Sequence, residues 1–289
     1  MPVYLVTGKL GAGKSLVCVG RIQEMLRQGR RVATNLDLNL PEMLSAKSRV
    51  SCVRLPDKPR VGDLAMLGAG NDSMDESQNG AIVLDELASW LNARTWKDDG
   101  RAEVIDWLIH SRKFGWDVYF VCQHENQIDR QIREALVEYL VVCRRLDRLR
   151  IPFLGSLVGL LSFGFLSGRF PRVHIASVRY GTEVGALRVE RWWYLGNDLF
   201  KAYNTRQVFS AGYAHGVFSY LSPWHLVGRF KRGLTLRELA RVAGVWLGCL
   251  PPLARVRGHP ARRLGPLMRV RDRDARWRAA RRLVGLGKL

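Results

Sequence analysis

Cysteine is sparse and spread out. The five residues (Cys18, Cys52, Cys122, Cys143 and Cys249) contain no C-x-x-C pair. That spacing suggests neither a zinc site nor a disulfide framework, and it fits a reducing, cytoplasmic compartment. A clear membrane-spanning run is also missing. The apolar stretch Val242-Ala-Gly-Val-Trp-Leu-Gly-Cys-Leu250 is nine residues long, whereas a spanning helix needs about 20. No secretory leader is expected, because Met1 leads straight into an apolar run without a basic segment or a cleavage site. Negative charge is in short supply. Lys and Arg number 46 against 26 Asp and Glu, for a net charge of +20. The imbalance is concentrated in 226–289, with 17 basic against 3 acidic residues, which leaves 29 against 23 in 1–225. The first part has the charge of an ordinary soluble protein. The second is a basic appendage that should seek lipid headgroups or nucleic acid. A hydrophobic content of 47% provides for a sizeable core and excludes global disorder.

Against these absences one motif stands out. Gly8-Lys9-Leu10-Gly11-Ala12-Gly13-Lys14-Ser15 fits the phosphate-binding pattern G-x-x-x-x-G-K-[ST] without a mismatch. Val3-Tyr-Leu-Val6 before it reads as a strand, and Leu16-Val-Cys-Val19 after it opens a helix. That strand–loop–helix context is what the motif requires. The glycines let backbone N–H groups turn toward one anion, and the helix points its positive end at the same place. Lys14 would reach the β- and γ-phosphates of ATP, and the Ser15 hydroxyl would ligate Mg²⁺. The loop reads phosphates and not bases, so ATP and GTP are not distinguished.

A second signal follows. Ala81-Ile-Val-Leu84 is a continuous apolar run, as expected of a strand buried on both faces, and it ends in Asp85-Glu86. Asp85 would hold Mg²⁺ and Glu86 would activate the attacking water as general base. The blander reading is an acidic pair capping the next helix. A further buried strand, Asp117-Val-Tyr-Phe-Val-Cys-Gln123, ends in Gln123. In ATPases with an extra strand between the two nucleotide motifs, such a residue senses the γ-phosphate; a satisfied strand-end amide is the alternative. Helices are expected from Leu16 to about Arg27, over 103–114 and over 127–135, and strands over 31–35 and 138–143, with 36–80 irregular. This alternation predicts an α/β fold, a P-loop NTPase with a mostly parallel sheet of the additional-strand type. Arg112, Lys113, Arg130 and Arg133 are expected near the active-site edge, either as an arginine finger or as a solvated helix face.

Three segments are expected: a P-loop ATPase domain at 1–148, a small aromatic-rich accessory module at 149–230 and a basic helical tail at 231–289. The uncharged run 151–168 carries Pro152, Gly155, Gly159 and Gly164, and reads either as a packed hairpin or as a membrane-inserted segment. Strands are expected over 173–180 and 187–195 around a turn at 181–185. Aromatics interleaved with arginine beyond residue 192 are either core or a stacking surface for single-stranded bases. Thr235-Leu-Arg-Glu238 reads as a capping box opening an amphipathic helix to Leu250, and 269–289 as a further basic stretch suited to a membrane interface.

Taken together, these residues resemble the zonular occludens toxin family, the gene I assembly proteins of filamentous bacteriophages. The resemblance is carried by Val3 to Ser15, Ile82-Val-Leu-Asp-Glu86, His110-Ser-Arg-Lys-Phe-Gly-Trp-Asp117, Gln127-Ile-Asp-Arg-Gln-Ile-Arg133, Arg145-Leu-Asp-Arg148 and Ile151-Pro-Phe-Leu-Gly155. Val189-Glu-Arg-Trp-Trp-Tyr-Leu-Gly196 and Tyr203-Asn-Thr-Arg-Gln-Val-Phe-Ser210 continue it. It implies an ATP-driven motor at the cytoplasmic face of the host inner membrane that extrudes phage as coat proteins assemble around single-stranded DNA. It implies a homo-oligomer with phage coat and assembly proteins as partners. A single-stranded DNA translocase or packaging ATPase acting through the basic tail is the alternative.

Overall fold

A computed structural model describes residues 2–73, 75–89, 100–128, 130–146, 173–183, 185–210 and 212–230. The chain divides into two compact units, Met1–Leu226 and Val227–Leu289. Of the second, only 227–230 is described, where Gly228–Phe230 forms a short helical turn. The expected segments at 151–168, 235–250 and 269–289 lie outside the described residues.

The first unit is organised by one sheet. Its strands are β1 (Val3–Thr7), β2 (Val32–Thr34), β3 (Val53–Arg54), β4 (Gly80–Leu84), β5 (Trp116–Val121), β6 (Tyr139–Arg145), β7 (Val173–Tyr180), β8 (Arg188–Leu195) and β9 (Phe218–Ser219). Their spatial order is β8-β7-β6-β1-β5-β4-β2-β3-β9. The six strands from β6 to β3 run parallel, and β7, β8 and β9 are antiparallel additions at the edges. β5 lies between β1 and β4, which is the extra strand expected between the two nucleotide motifs. β4 and β5 are buried at every position, because helices cover both faces of a parallel sheet.

Helix α1 (Lys14–Arg27) carries the loop into the core. It buries Leu16, Val17, Val19, Ile22, Met25 and Leu26, each contributing roughly 1.5–3 kcal/mol relative to exposure. Gly29 ends it in the left-handed region at φ 80°. Two short helices, α2 (Leu40–Met43) and α3 (Val61–Ala65), and the two-residue strand β3 order the stretch read as irregular from sequence. The helix expected over 103–114 is α4 (Arg101–His110) followed by a tighter turn, Ser111–Phe114, which Gly115 closes at φ 74°. α5 (Arg130–Leu136) precedes β6.

The described strands of the accessory module expected at 149–230 lie in the same sheet. β7 pairs with β6 and β8 with β7, so both extend the sheet of the nucleotide domain. β9 pairs with β3 at the opposite edge. Ala176, Val178, Trp192 and Tyr194 join the same core as α1. Contact there is close: a Cβ on Gly20 would sit 2.4 Å from the Tyr194 ring. The aromatics of this stretch therefore divide by face. Trp192 and Tyr194 are core, whereas Trp193 is 54% exposed. Among the described residues no helix is long and apolar enough to cross a membrane.

Candidate nucleotide site

Parallel strands present their carboxyl ends along one edge of the sheet, and the site is assembled there. The loop 8–13 leaves β1 at that edge. Gly8, Gly11 and Gly13 all have positive φ, and Gly13 caps α1 at φ 89°. No side chain caps the helix and its first turn holds no acid, so the open N–H groups and the positive helix end are left for an anion. Lys14 Nζ donates to the Gly8 carbonyl at 3.0 Å, across the mouth of the loop.

β4 delivers the acids. Ser15 Oγ donates to Asp85 Oδ2 at 2.6 Å, so the hydroxyl and carboxylate expected to share a metal converge on one point. Asp85 is buried. Burial pushes its carboxyl upward, opposed by the Ser15 hydroxyl, the Glu86 N–H and Lys14. Glu86 N–H donates to Asp85 Oδ1 at 2.7 Å, and Glu86 has φ 52°, alone among the described non-glycine residues in being positive. A left-handed non-glycine residue costs on the order of 1–3 kcal/mol and marks a functional turn. Here the turn brings the Glu86 carboxylate to the cavity wall. Its pKa is also raised, by burial and then by the neighbouring charges of Asp85 and Asp57.

A cavity of about 560 Å³ joins these groups; Lys14, Ser15, Asp85, Glu86 and Gln123 all line it. Leu10, Gly11 and Gly13 contribute the loop wall, while Lys9 and Ala12 complete the motif around it. Among the described residues the Gln123 side chain makes no hydrogen bond, and its backbone carbonyl accepts from Gly8 N–H at 3.4 Å. Two hydroxyl- and carboxylate-type ligands facing an open cavity suit Mg²⁺, which keeps several waters and takes one or two protein oxygens. The loop and these two ligands thus fit a nucleotide with its metal.

Sequence reasoning missed the residues that hold this edge together. Asn35, fully buried just past β2, accepts from Asp85 N–H at 2.8 Å and donates to the Asp85 carbonyl at 3.0 Å and the Asp57 carbonyl at 3.1 Å. Gln207 donates to the Asn35 carbonyl at 2.8 Å and accepts from Asp37 N–H at 2.8 Å. Tyr203, Gln207 and Phe209 then form the far wall of the cavity. Behind them Arg54, fully buried, pairs with Asp57 at 2.7 Å and with Asp37 at 2.9 Å. His174 on β7 packs beneath Gly13, where a Cβ would lie 1.9 Å from Nδ1. The only hint in the sequence is polarity: Asn35 ends an expected strand and Gln207 falls in a stretch carrying the resemblance.

The arginine expectation is corrected for two residues. Arg112 and Lys113 precede β5, so they lie at the amino edge of the sheet, opposite the site. Arg112 is exposed and stands 3.7 Å from Glu76. Arg133 donates to Asn126 Oδ1 at 2.9 Å, and Arg130 opens α5.

A parallel sheet with a glycine loop at β1, an extra strand β5 and a buried acid at the end of β4 defines the P-loop NTPase class. A family model described as zonular occludens toxin (Zot) matches residues 2–156. The gene 1 protein of Enterobacteria phage M13 is 45% identical over 250 residues, covering 86% of this chain and 71% of that protein. The gene 1 protein of Escherichia phage If1 is 48% identical over 241 residues, covering 81% and 67%. The chain belongs to the zonular occludens toxin family. The crystal structure of the N-terminal domain of zonular occludens toxin from Neisseria meningitidis is similar at a TM-score of 0.40 and 16% identity, over 70% of this chain and 98% of that one.

Proposed function

We propose that this protein is an ATP-hydrolysing motor that drives assembly and extrusion of filamentous phage at the host inner membrane. The observation that carries it is the convergence of Ser15 and Asp85 at 2.6 Å beside Glu86, at the mouth of an intact phosphate loop. The gene 1 relatives supply the phage context. In this reading the loop N–H groups and Lys14 bind the phosphates, and Ser15 and Asp85 hold Mg²⁺. A metal held by these two residues would supply positive charge to offset that of the phosphate oxygens. Glu86 takes the proton from a water attacking the γ-phosphorus, and the bond to the leaving diphosphate breaks. Gln123, which lines the same cavity, orients that water. The motor works as a homo-oligomer with phage coat and assembly proteins, attached to the cytoplasmic face of the membrane by the basic stretch 226–289.

Two variants test this. Lys14→Ala and Glu86→Gln should abolish ATP turnover by purified protein and phage release from cells, with thermal melts unchanged within a few degrees. Normal phage release from both variants would sink the motor reading. The charge of 226–289 favours a second reading, a single-stranded DNA translocase using that stretch directly. Salt-sensitive DNA binding lost on deleting 251–289 would support it.

A further inference from the structure

One face of the sheet at β6, β7 and β8 carries positive charge that the nucleotide site does not use. The strand register sets three rows across it: Arg144, Ile175 and Trp193; then Val142, Ser177 and Arg191; then Leu140, Arg179 and Arg188. Successive rows are about 7 Å apart, two residues along a strand. Alternation sends Ala176, Val178, Trp192 and Tyr194 to the opposite face, into the core with α1. The four arginines line one cavity of about 470 Å³, and among the described residues no acid lines it. Glu190 pairs with Val178 and so points to the other face. Among the described residues none of the four arginines forms an ion pair. Trp193 is 54% exposed, with the Arg191 guanidinium 5.5 Å from its ring centroid.

Like charges held together without counter-charge repel one another, and an anion bound among them relieves that repulsion. The pattern also has a pitch and an aromatic platform. Each row presents at least one guanidinium, a group whose planar fork matches phosphate, and the first row adds an exposed indole. A bilayer surface would call for apolar side chains at the centre of the patch with charges around them. Here the arginines hold the centre, and Trp193 and Leu195 stand at one end. We propose that this face binds a nucleic-acid single strand, with phosphates on the arginine rows and a base stacked on Trp193. The proposal does not depend on nucleotide hydrolysis.

The test uses the full chain, without nucleotide, and a fluorescent oligothymidine as probe. Arg188→Ala/Arg191→Ala removes two exposed guanidiniums from the face. It should weaken binding at least tenfold and flatten the log–log salt dependence by about 1.4, at about 0.7 for each phosphate no longer neutralised. Trp193→Ala should weaken binding several-fold with the salt slope unchanged. Arg27→Ala/Lys47→Ala makes the same change in net charge elsewhere on the surface and should leave affinity as it was. Unaltered affinity in the face variant, or an equal loss in both pairs, overturns the proposal. So does a face variant that releases the protein from phosphatidylserine vesicles while still binding oligothymidine, which would make the face a lipid surface. Thermal melts of the variants check that the sheet is intact.

Discussion

Asp85 and Glu86 are neighbours in sequence but sit in different electrostatic positions, and each has a measurable consequence. Glu86 must be ionised to accept a proton, and its pKa is raised by burial and by Asp85 and Asp57. The acid limb of the hydrolysis rate should therefore lie above the ordinary glutamate value of about 4.3. A limb at or below that value would remove Glu86 as the base. Asp85 bears on stability. Its folded-state pKa is raised, so its contribution is greatest below the ordinary aspartate pKa and is lost as pH rises through the raised value. At neutral pH its buried charge is a net cost in the ligand-free protein. Asp85→Asn should thus raise the melting temperature at pH 7, by roughly 2–4 °C for each kcal/mol relieved, while abolishing hydrolysis. A lower melting temperature would show that the Ser15 and Glu86 hydrogen bonds outweigh the desolvation.

Helix α1 and the ends of β2 and β4 set the geometry at the next scale. α1 approaches β8 closely because Gly20 has no side chain. A methyl there meets the Tyr194 ring at 2.4 Å, and such overpacking costs about 1–3 kcal/mol. Gly20→Ala should lower denaturant stability by that amount, and Tyr194→Ala in the same chain should recover part of it in a double-mutant cycle. Strict additivity would mean that the two residues do not touch. At the β2–β4 junction Asn35 satisfies both backbone groups of Asp85. Asn35→Ala leaves those groups buried without a side-chain partner, a loss of about 1–3 kcal/mol. Hydrolysis should fall as well, because the turn into Glu86 loses its brace.

The whole unit closes only with strands from beyond residue 170. Fragment 1–148 would retain the phosphate loop, Asp85 and Gln123, yet it would lack Ala176, Val178, Trp192 and Tyr194 from the core with α1. It would also lose Gln207 from Asn35 and expose β6 as an edge. It should aggregate or unfold on expression, whereas 1–230 should melt in one cooperative transition. A folded, nucleotide-binding 1–148 fragment would support the boundary expected from sequence.

The phosphate loop, the acidic strand end and the alternation of strands and helices are all legible in the order of the amino acids. Each is a local pattern: glycines at fixed offsets, an apolar run with a polar stop, and a change of period from strand to helix. The order of β1, β5 and β4 follows from such patterns once the fold class is known. What only the tertiary structure decided depends on contacts between distant parts of the chain. Asn35 and Asp85 are 50 residues apart, and Gln207 lies 172 residues from Asn35. His174 beneath Gly13 reads in sequence as any histidine on a strand. The division of the aromatics into core and surface, and the alignment of four arginines on one face, came from strand register, which shifts every side chain to the other face with a slip of one residue. Local chemistry is written in adjacent residues; shared edges and faces exist only after the strands have paired.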